Sequence, residues 1–355
     1  MGPIPPAYTG QSVAFNTIAT YIKEKNPVTI IDISNADSII NAIRLYLRIS
    51  YYMLFNRYSV IYFTCSRSLF GSFKDFVLIF WARLTNTKVV NHLHGADFKT
   101  FYNGLPYLYK KMMKWTYSYI NKSIVLLDGM EKEFSDFPNM KIEVIANGYT
   151  KDLDQCPLLI PEQPRTSVNL LYLSNLMVSK GIINLLKAME VLFPAHPELT
   201  LTIAGKIYPD HLSSLKATED EFNGLYQQLK KLYPHQIEYV GVCSGEPKRK
   251  LLWDSDVLIL PTFYPTEALP LAIIEGMRTG NFIITCAHNY LPKVVKEENG
   301  VLIAPDSVDA IVNSVVDVCQ HQDNLRRVQQ YNIEHARQKY SEDAYKKSIW
   351  AVINN

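Results

Sequence analysis

The sequence predicts an α/β protein made of two doubly wound domains, and three observations carry that prediction. Short runs rich in Val, Ile and Leu alternate with helical periods. The alternation stops once, at the proline-bearing stretch DQCPLLIPEQPRTS (154–167), and then starts again. The runs are apolar throughout, as strands are when helices cover both faces of their sheet. A length of 355 residues also exceeds what one ordinary core organises.

The first series begins with a helical stripe of Val13, Ala14, Ile18, Tyr21 and Ile22. SVIYFTC (59–65) reads as a strand, followed by a helix through Phe76 and Phe80. KVVNHLH (88–94) is the next strand, and a Tyr- and Lys-rich helix follows from about Leu105. SIVLL (123–127) and KIEVIA (141–146) complete the series. A domain of this kind should open with a strand, yet the chain begins at GPIPPAYTG, in the loop expected after it. A truncated or misplaced start is the expectation. After the linker come VNLLYLS (168–174), LTLTIAG (199–205), QIEYVG (236–241), DVLILP (256–261), NFIITC (281–286) and GVLIA (300–304), separated by helical segments. From Ser307 onward the pattern is helical only. The expected division is 1–160 for the first domain, 165–338 for the second, and a helix in 339–355 crossing back to the first. In such folds a ligand sits in a cleft at the carboxyl ends of strands.

Composition narrows the function classes. The net charge of +2 gives no strong basic field for nucleic acid. No apolar run is long enough to span a bilayer, and the amino terminus has neither the basic nor the apolar region of a signal peptide. The five cysteines are scattered without a CxxC pair, which fits reduced thiols in a cytoplasmic protein and no zinc site.

The stretch PTEALPLAIIEGM (265–277) carries two acids, Glu267 and Glu275, in an otherwise apolar setting. Pro265 and Pro270 suit a loop and a first helical turn, so the helix should begin near Leu269 to Leu271, with Glu275 about one turn inside. Its amino end offers unpaired N–H groups and a dipole that favour phosphate. An elongated ligand with an anionic centre and hydroxyls at both ends fits this pattern, as a nucleotide sugar does. A glycosidase acid–base pair fits less well. Eight helical residues rise about 12 Å, beyond the roughly 5–9.5 Å that separates hydrolase carboxylates.

In this context the stretch resembles the signature of glycosyltransferase family 4, the retaining GT-B enzymes. LLYLSNLMVSKGIINLLKAM (170–189), LTIAG (201–205), VGVCSGEPKRKLLWDSDVLILPTFYPTE (240–267) and ENGVLIAPDSVDAI (298–311) agree in order and position. YTGQS (8–12), HLHGADF (92–98) and VIANGYTKD (144–152) fall where that family has its glycine loop, its histidine and its Asn-Gly turn. The resemblance implies two Rossmann-like domains facing each other across a cleft. It also implies roles for individual residues. Glu275 would hold the ribose hydroxyls, and Glu267 the donor-sugar hydroxyls. Backbone from Ala268, Leu269, Pro270 and Leu271 would serve sugar and phosphate, and Lys180 would neutralise the diphosphate. Gly10 would admit close backbone approach, and His94 would contact the sugar near its reactive carbon. His92, two residues earlier on the same strand face, is the competing histidine. Asp97 and Asn147 are acceptor candidates, with Asn147-Gly148 a turn first. The family often has an Arg where this chain reads Ser174-Asn175, and a Glu where it has Lys293.

The expected reaction is transfer of a sugar from a nucleotide diphosphate sugar, UDP favoured over GDP, to a saccharide or lipid-linked saccharide acceptor. The expected setting is bacterial surface polysaccharide synthesis, such as lipopolysaccharide or capsule. Neither a metal nor a cofactor is implied, and nucleic acid is not a partner. Two competing readings remain: a GT-B sugar-nucleotide epimerase, and a non-catalytic nucleotide-sugar-binding subunit. Two stretches, LPYLYKKMMKWTYSYINK (105–122) and IRLYLRISYYMLFNRY (43–58), mix basic with aromatic residues. Each is either a core helix with a wet basic side or an element lying on an anionic membrane. The second alternative would place the protein at the inner face of the cytoplasmic membrane.

Overall fold

The computed structural model describes residues 1–5, 9–35, 38–155 and 167–354. Most of the expected linker, together with Cys156 and Tyr8, lies outside the described residues. The chain divides into one unit formed by Met1–Gly148 with Glu342–Asn355, and a second formed by Tyr149–Ser341.

Unit 1 contains α1 (Gly10–Lys23), α2 (Ile39–Phe55), β1 (Val60–Thr64), α3 (Leu69–Leu84), β2 (Lys88–His92), α4 (Phe98–Asn103), α5 (Tyr107–Tyr117), β3 (Lys122–Val125) and β4 (Lys141–Val144). The four strands form a parallel sheet in the order β1-β2-β3-β4. Thr9 caps α1 through a reciprocal pair of hydrogen bonds with Ser12, so Gly10 is the exposed first residue of a helix. The opening strand expected from the sequence is replaced by a short contact. Met1 accepts a backbone hydrogen bond from Thr64 at 3.1 Å and donates its amine to the Tyr62 carbonyl, while Gly2 bridges to Asp32. The final helix, α13 (Glu342–Asn354), joins this unit: Tyr345, Ile349 and Ile353 are buried with Ala14, Ile18, Val90 and Ile124. Asn147-Gly148 takes no turn, contrary to expectation. The chain passes close to α13 here, and a Cβ on Gly148 would press on the Glu342 backbone at 3.1 Å.

Unit 2 holds β5 (Val168–Leu173), α6 (Ile182–Ala195), β6 (Leu199–Ala204), α7 (Leu215–Leu232), β7 (Ile237–Gly241), α8 (Gly245–Asp254) and β8 (Val257–Leu260). It continues with α9 (Leu271–Arg278), β9 (Phe282–Cys286), α10 (Leu291–Val294), β10 (Gly300–Ile303), α11 (Val308–Gln320) and α12 (Gln322–Lys339). Its sheet is parallel, in the order β10-β9-β8-β5-β6-β7. Every residue of β8 and β9 is buried, which is why these strands read as unbroken apolar runs. Chain order reverses between β5 and β8, and that is where a doubly wound sheet leaves a crevice for ligand. The segment 149–155 is pinned to this unit by ion pairs of Asp154 with Arg278 and Asp152 with Arg249.

Candidate active site

The loops leaving β5 and β8 meet at the reversal point. The β5 loop passes through a 3-10 turn, Val178–Lys180, and then Gly181. Gly181 has φ +78°, and any Cβ there would collide with the Pro261 carbonyl. The absence of that atom lets the Lys180 loop sit directly on the end of β8, where Phe263 N–H donates to Ser179 C=O at 2.8 Å. Lys180 Nζ forms an ion pair with Glu267 Oε2, and Thr262 Oγ1 donates to the same oxygen at 3.1 Å. Glu267 is 7% exposed and therefore fixed by its partners rather than by water.

The next loop braces this pair. Asn289, with φ +46°, donates its amide to the carbonyls of Pro265 (2.8 Å) and Glu267 (3.3 Å), and His288 Nε2 lies 3.0 Å from the Tyr264 carbonyl. Neither bracing residue was singled out from the sequence. No local pattern marks either of them, since the carbonyls they meet are brought near only by the fold.

α9 starts at Leu271, within the expected window, and Pro270 precedes it as N-cap. Pro270 has no N–H, so of the run Ala268–Leu271 only Ala268, Leu269 and Leu271 can donate from the backbone. The first-turn N–H groups of Leu271 and Ala272 have no acceptor within the helix. Glu275 is 1% exposed. Lys248 of α8 reaches across to it, with Nζ 2.7 Å from Oε1 and 2.6 Å from Oε2. Oε2 has no second donor among the described residues, so a buried carboxylate keeps unused acceptor capacity. Lys248 was missed in the sequence because nothing local links α8 to a carboxylate 27 positions further on. Asn175, at the position where an Arg was expected, contributes its carbonyl to Tyr172 Oη at 2.9 Å. Lys293 is exposed on α10.

Gly10, His94, Asp97 and Asn147 belong to unit 1. His92 and His94 stack, with ring centroids 4.0 Å apart. His92 Nδ1 lies 2.6 Å from Tyr62 Oη, so His92 is a packed core histidine. His94 is partly exposed as a residue, but both ring nitrogens are buried and have no hydrogen-bond partner. Burial, aided by the Arg67 guanidinium, lowers the His94 pKa to about 3, so the ring is neutral at pH 7. Arg67 lies over Gly95, where a Cβ would displace its guanidinium, and pairs with Asp97. Arg67 and Asp97 line an open pocket with Leu69, Thr100, Phe101 and Pro106. The Asn147 side chain is buried with an unpartnered Oδ1. Among the described residues, the group with metal-ligand spacing is His196, Glu198 and Cys319. His196 and Glu198 precede β6, at the opposite end of the sheet from Lys180.

Residues 160–335 match the family model described as glycosyl transferases group 1. Over these residues the chain is similar to that family. The chain is 25% identical over 185 residues to an uncharacterized glycosyltransferase of Methanocaldococcus jannaschii, covering 52% of this chain and 42% of that protein. It is 30% identical over 186 residues to glycogen synthase of Mycobacterium tuberculosis, covering 50% and 40%. The matches thus span about two-fifths of the length of these relatives. Similar solved structures include sucrose-phosphate synthase of Thermosynechococcus elongatus (TM-score 0.67, 17% identity, 92% of this chain and 80% of that one). Another is Anabaena HepE in complex with UDP-glucose (TM-score 0.67, 15% identity, 95% and 88%). At these identities the likeness establishes the fold, which is GT-B with two parallel-sheet Rossmann-like units.

Proposed function

We propose that the protein is a retaining glycosyltransferase that moves a sugar from a nucleotide diphosphate sugar, UDP-linked in preference to GDP-linked, onto a saccharide or lipid-linked saccharide. Bacterial surface polysaccharide synthesis is the proposed setting. The observation that carries this reading is the Lys180–Glu267 pair beside the amino end of α9, with buried Glu275 one turn further on. Lys180 and the first N–H groups of α9 suit a diphosphate whose negative charge grows as the sugar departs. Glu275, with acceptor capacity to spare, suits a ribose diol, and Glu267 suits sugar hydroxyls. Neither acid is arranged as a nucleophile, because each already accepts from a lysine. Transfer is then proposed to occur on the face of the leaving phosphate, which helps take the acceptor proton. Neutral His94, with both nitrogens unpartnered, is the proposed sugar contact in unit 1, and the Asp97 pocket the proposed acceptor site. UDP preference is supported by relatives of this fold solved with UDP, among them HepE and Staphylococcus aureus TarM. The proposed chemistry needs no metal, and EDTA is expected to leave turnover unchanged.

The test is a thermal-shift screen of UDP-, GDP- and ADP-sugars. A donor at 100 times its dissociation constant adds about 2.7 kcal/mol. Glu275→Ala is expected to abolish the shift. Glu267→Ala is expected to retain nucleotide binding while losing discrimination among sugars. Equal shifts for wild type and Glu275→Ala would refute the ribose assignment.

A further inference from the structure

We infer that the helical face formed by α2, α3 and α5 of unit 1 docks on an anionic lipid bilayer. The first ground is where apolar side chains are left in water. Among the described residues, sixteen of the twenty-five exposed large apolar side chains lie on these three helices. α2 buries only Leu45, Ile49 and Met53, and its outward stripe is Ile40, Ile43, Leu47, Tyr51 and Leu54, with Phe55 at its edge. Leu47 is 66% exposed and Phe55 73%. A helix that is apolar on nearly every side calls for cover on its second face. With 17 residues it is about 25 Å long, shorter than a bilayer core, and no described helix is long and apolar enough to cross one. It can lie on a membrane without passing through.

The second ground is charge, and it selects the occupant. Residues 38–127, which contain all three helices, hold twelve Lys and Arg but only two Asp and no Glu. This surplus of ten compares with +2 for the entire chain. Of the two acids, Asp75 is wholly buried, where it accepts from Ser66 N–H and Tyr117 Oη, and Asp97 is paired to Arg67. The outward charge is therefore positive. Arg44 and Arg48 flank the apolar stripe of α2, and Lys111 and Lys114 are exposed beside Leu108 and Trp115 on α5. Cations bordering apolar side chains match phosphate headgroups bordering acyl chains.

The helices form one layer. Tyr46 and Phe73 contact with ring centroids 5.4 Å apart, Trp81 Nε1 donates to Ser50 Oγ, Phe76 meets Tyr109 at 5.2 Å, and the Arg83 guanidinium lies 4.5 Å from the Trp115 ring. Leu69 and Pro106, at the starts of α3 and α5, also line the Arg67–Asp97 pocket. Their neighbours Phe70 and Leu108 are 87% and 78% exposed. On the proposed acceptor reading, docking would set the pocket mouth at headgroup level for a lipid-linked saccharide. Docking itself does not depend on that reading.

The test is flotation of the full chain with vesicles of phosphatidylcholine alone and of phosphatidylcholine containing about 30 mol% phosphatidylglycerol. Wild type is expected to float with the anionic vesicles and to be released in about 0.5 M NaCl. Ile43→Ser/Leu47→Ser/Phe55→Ser and, separately, Arg44→Gln/Arg48→Gln/Lys111→Gln are each expected to lower binding at least about tenfold. Both variants should keep the wild-type melting temperature, since the replaced side chains are exposed. Wild type that stays unbound with anionic vesicles, or variants that bind as wild type does, would overturn the inference. So would a dimer in sedimentation that dissociates on Leu47→Ser, because a second copy would then cover the face. No nucleotide enters the assay, so its failure is distinct from failure of the donor-site reading.

Discussion

The two units use polar chemistry in opposite ways. Unit 2, with eighteen basic and twenty-two acidic residues, concentrates the charges of its candidate site in ion pairs at one end of one sheet. Unit 1, with eighteen basic and twelve acidic, spreads cations over a helical face and leaves its candidate histidine neutral. The difference teaches where specificity for an anion is built. In unit 2 Lys180 and Lys248 are each held by a buried carboxylate, so position is fixed and charge is partly offset. In unit 1 the cations are held by long, exposed stems, which suits a diffuse anionic surface better than one phosphate.

The comparison is broken most directly at Lys180. Lys180→Gln keeps the hydrogen-bonding stem near Glu267 but removes the charge, and turnover should fall by about 10²–10³-fold. The same change at Lys111 should leave turnover with a soluble acceptor within about twofold, as expected of a side chain whose interaction is screened by solvent. Steady-state kinetics on both variants checks the pair. A smaller but still large effect is expected from Gly181→Ala. Its φ and the Pro261 carbonyl both oppose a methyl group, so unit 2 should lose about 3 kcal/mol by denaturant melt.

Acid sharpens the contrast. His94 has a pKa of about 3 in the folded chain against 6.5 for an unperturbed histidine. Above pH 6.5 both folded and unfolded forms are neutral and the group has no effect on stability. Between pH 6.5 and 3 the unfolded form takes up the proton and the folded form does not. Stability therefore falls with pH, by about 1.4 kcal/mol per unit. By pH 5 the loss is about 2 kcal/mol. Hydrogen exchange at pH 7 and pH 5 should locate this loss in unit 1, and His94→Gln should lessen it while leaving the part that comes from buried His92, whose pKa burial also lowers.

Much of unit 2 was legible because its site is built from loops that immediately follow strands. DVLILP fixed the strand, Pro265 and Pro270 fixed the loop and cap, and the observed helix starts at Leu271 as those residues require. Lys180 was legible only through the family resemblance of LLYLSNLMVSKGIINLLKAM, the segment that carries it. Lys248 and Asn289 were not, because each acts on a residue brought near only by the sheet, and neither has a local pattern. In unit 1 the basic and aromatic character of α2 and α5 was visible, but which side faces water was not. α2 is apolar around most of its circumference, so periodicity alone does not choose its buried side. The turn expected at Asn147-Gly148 failed for a related reason: the glycine is there for the passage of α13, which lies nearly 200 residues away in sequence.

The smallest expected effect concerns the brace. Asn289→Gly preserves the left-handed backbone but removes two hydrogen bonds to the Glu267 loop. At about 1 kcal/mol, it should raise KM for the donor roughly fivefold with little change in melting temperature.

The central claim is tested most directly by a crystal structure of the chain with a nucleotide diphosphate sugar bound. The account predicts the diphosphate against the Leu271 and Ala272 N–H groups within reach of Lys180, the ribose on Glu275 and the sugar on Glu267. A diphosphate bound elsewhere, with Lys180 still on Glu267 and Lys248 still on Glu275, would contradict it.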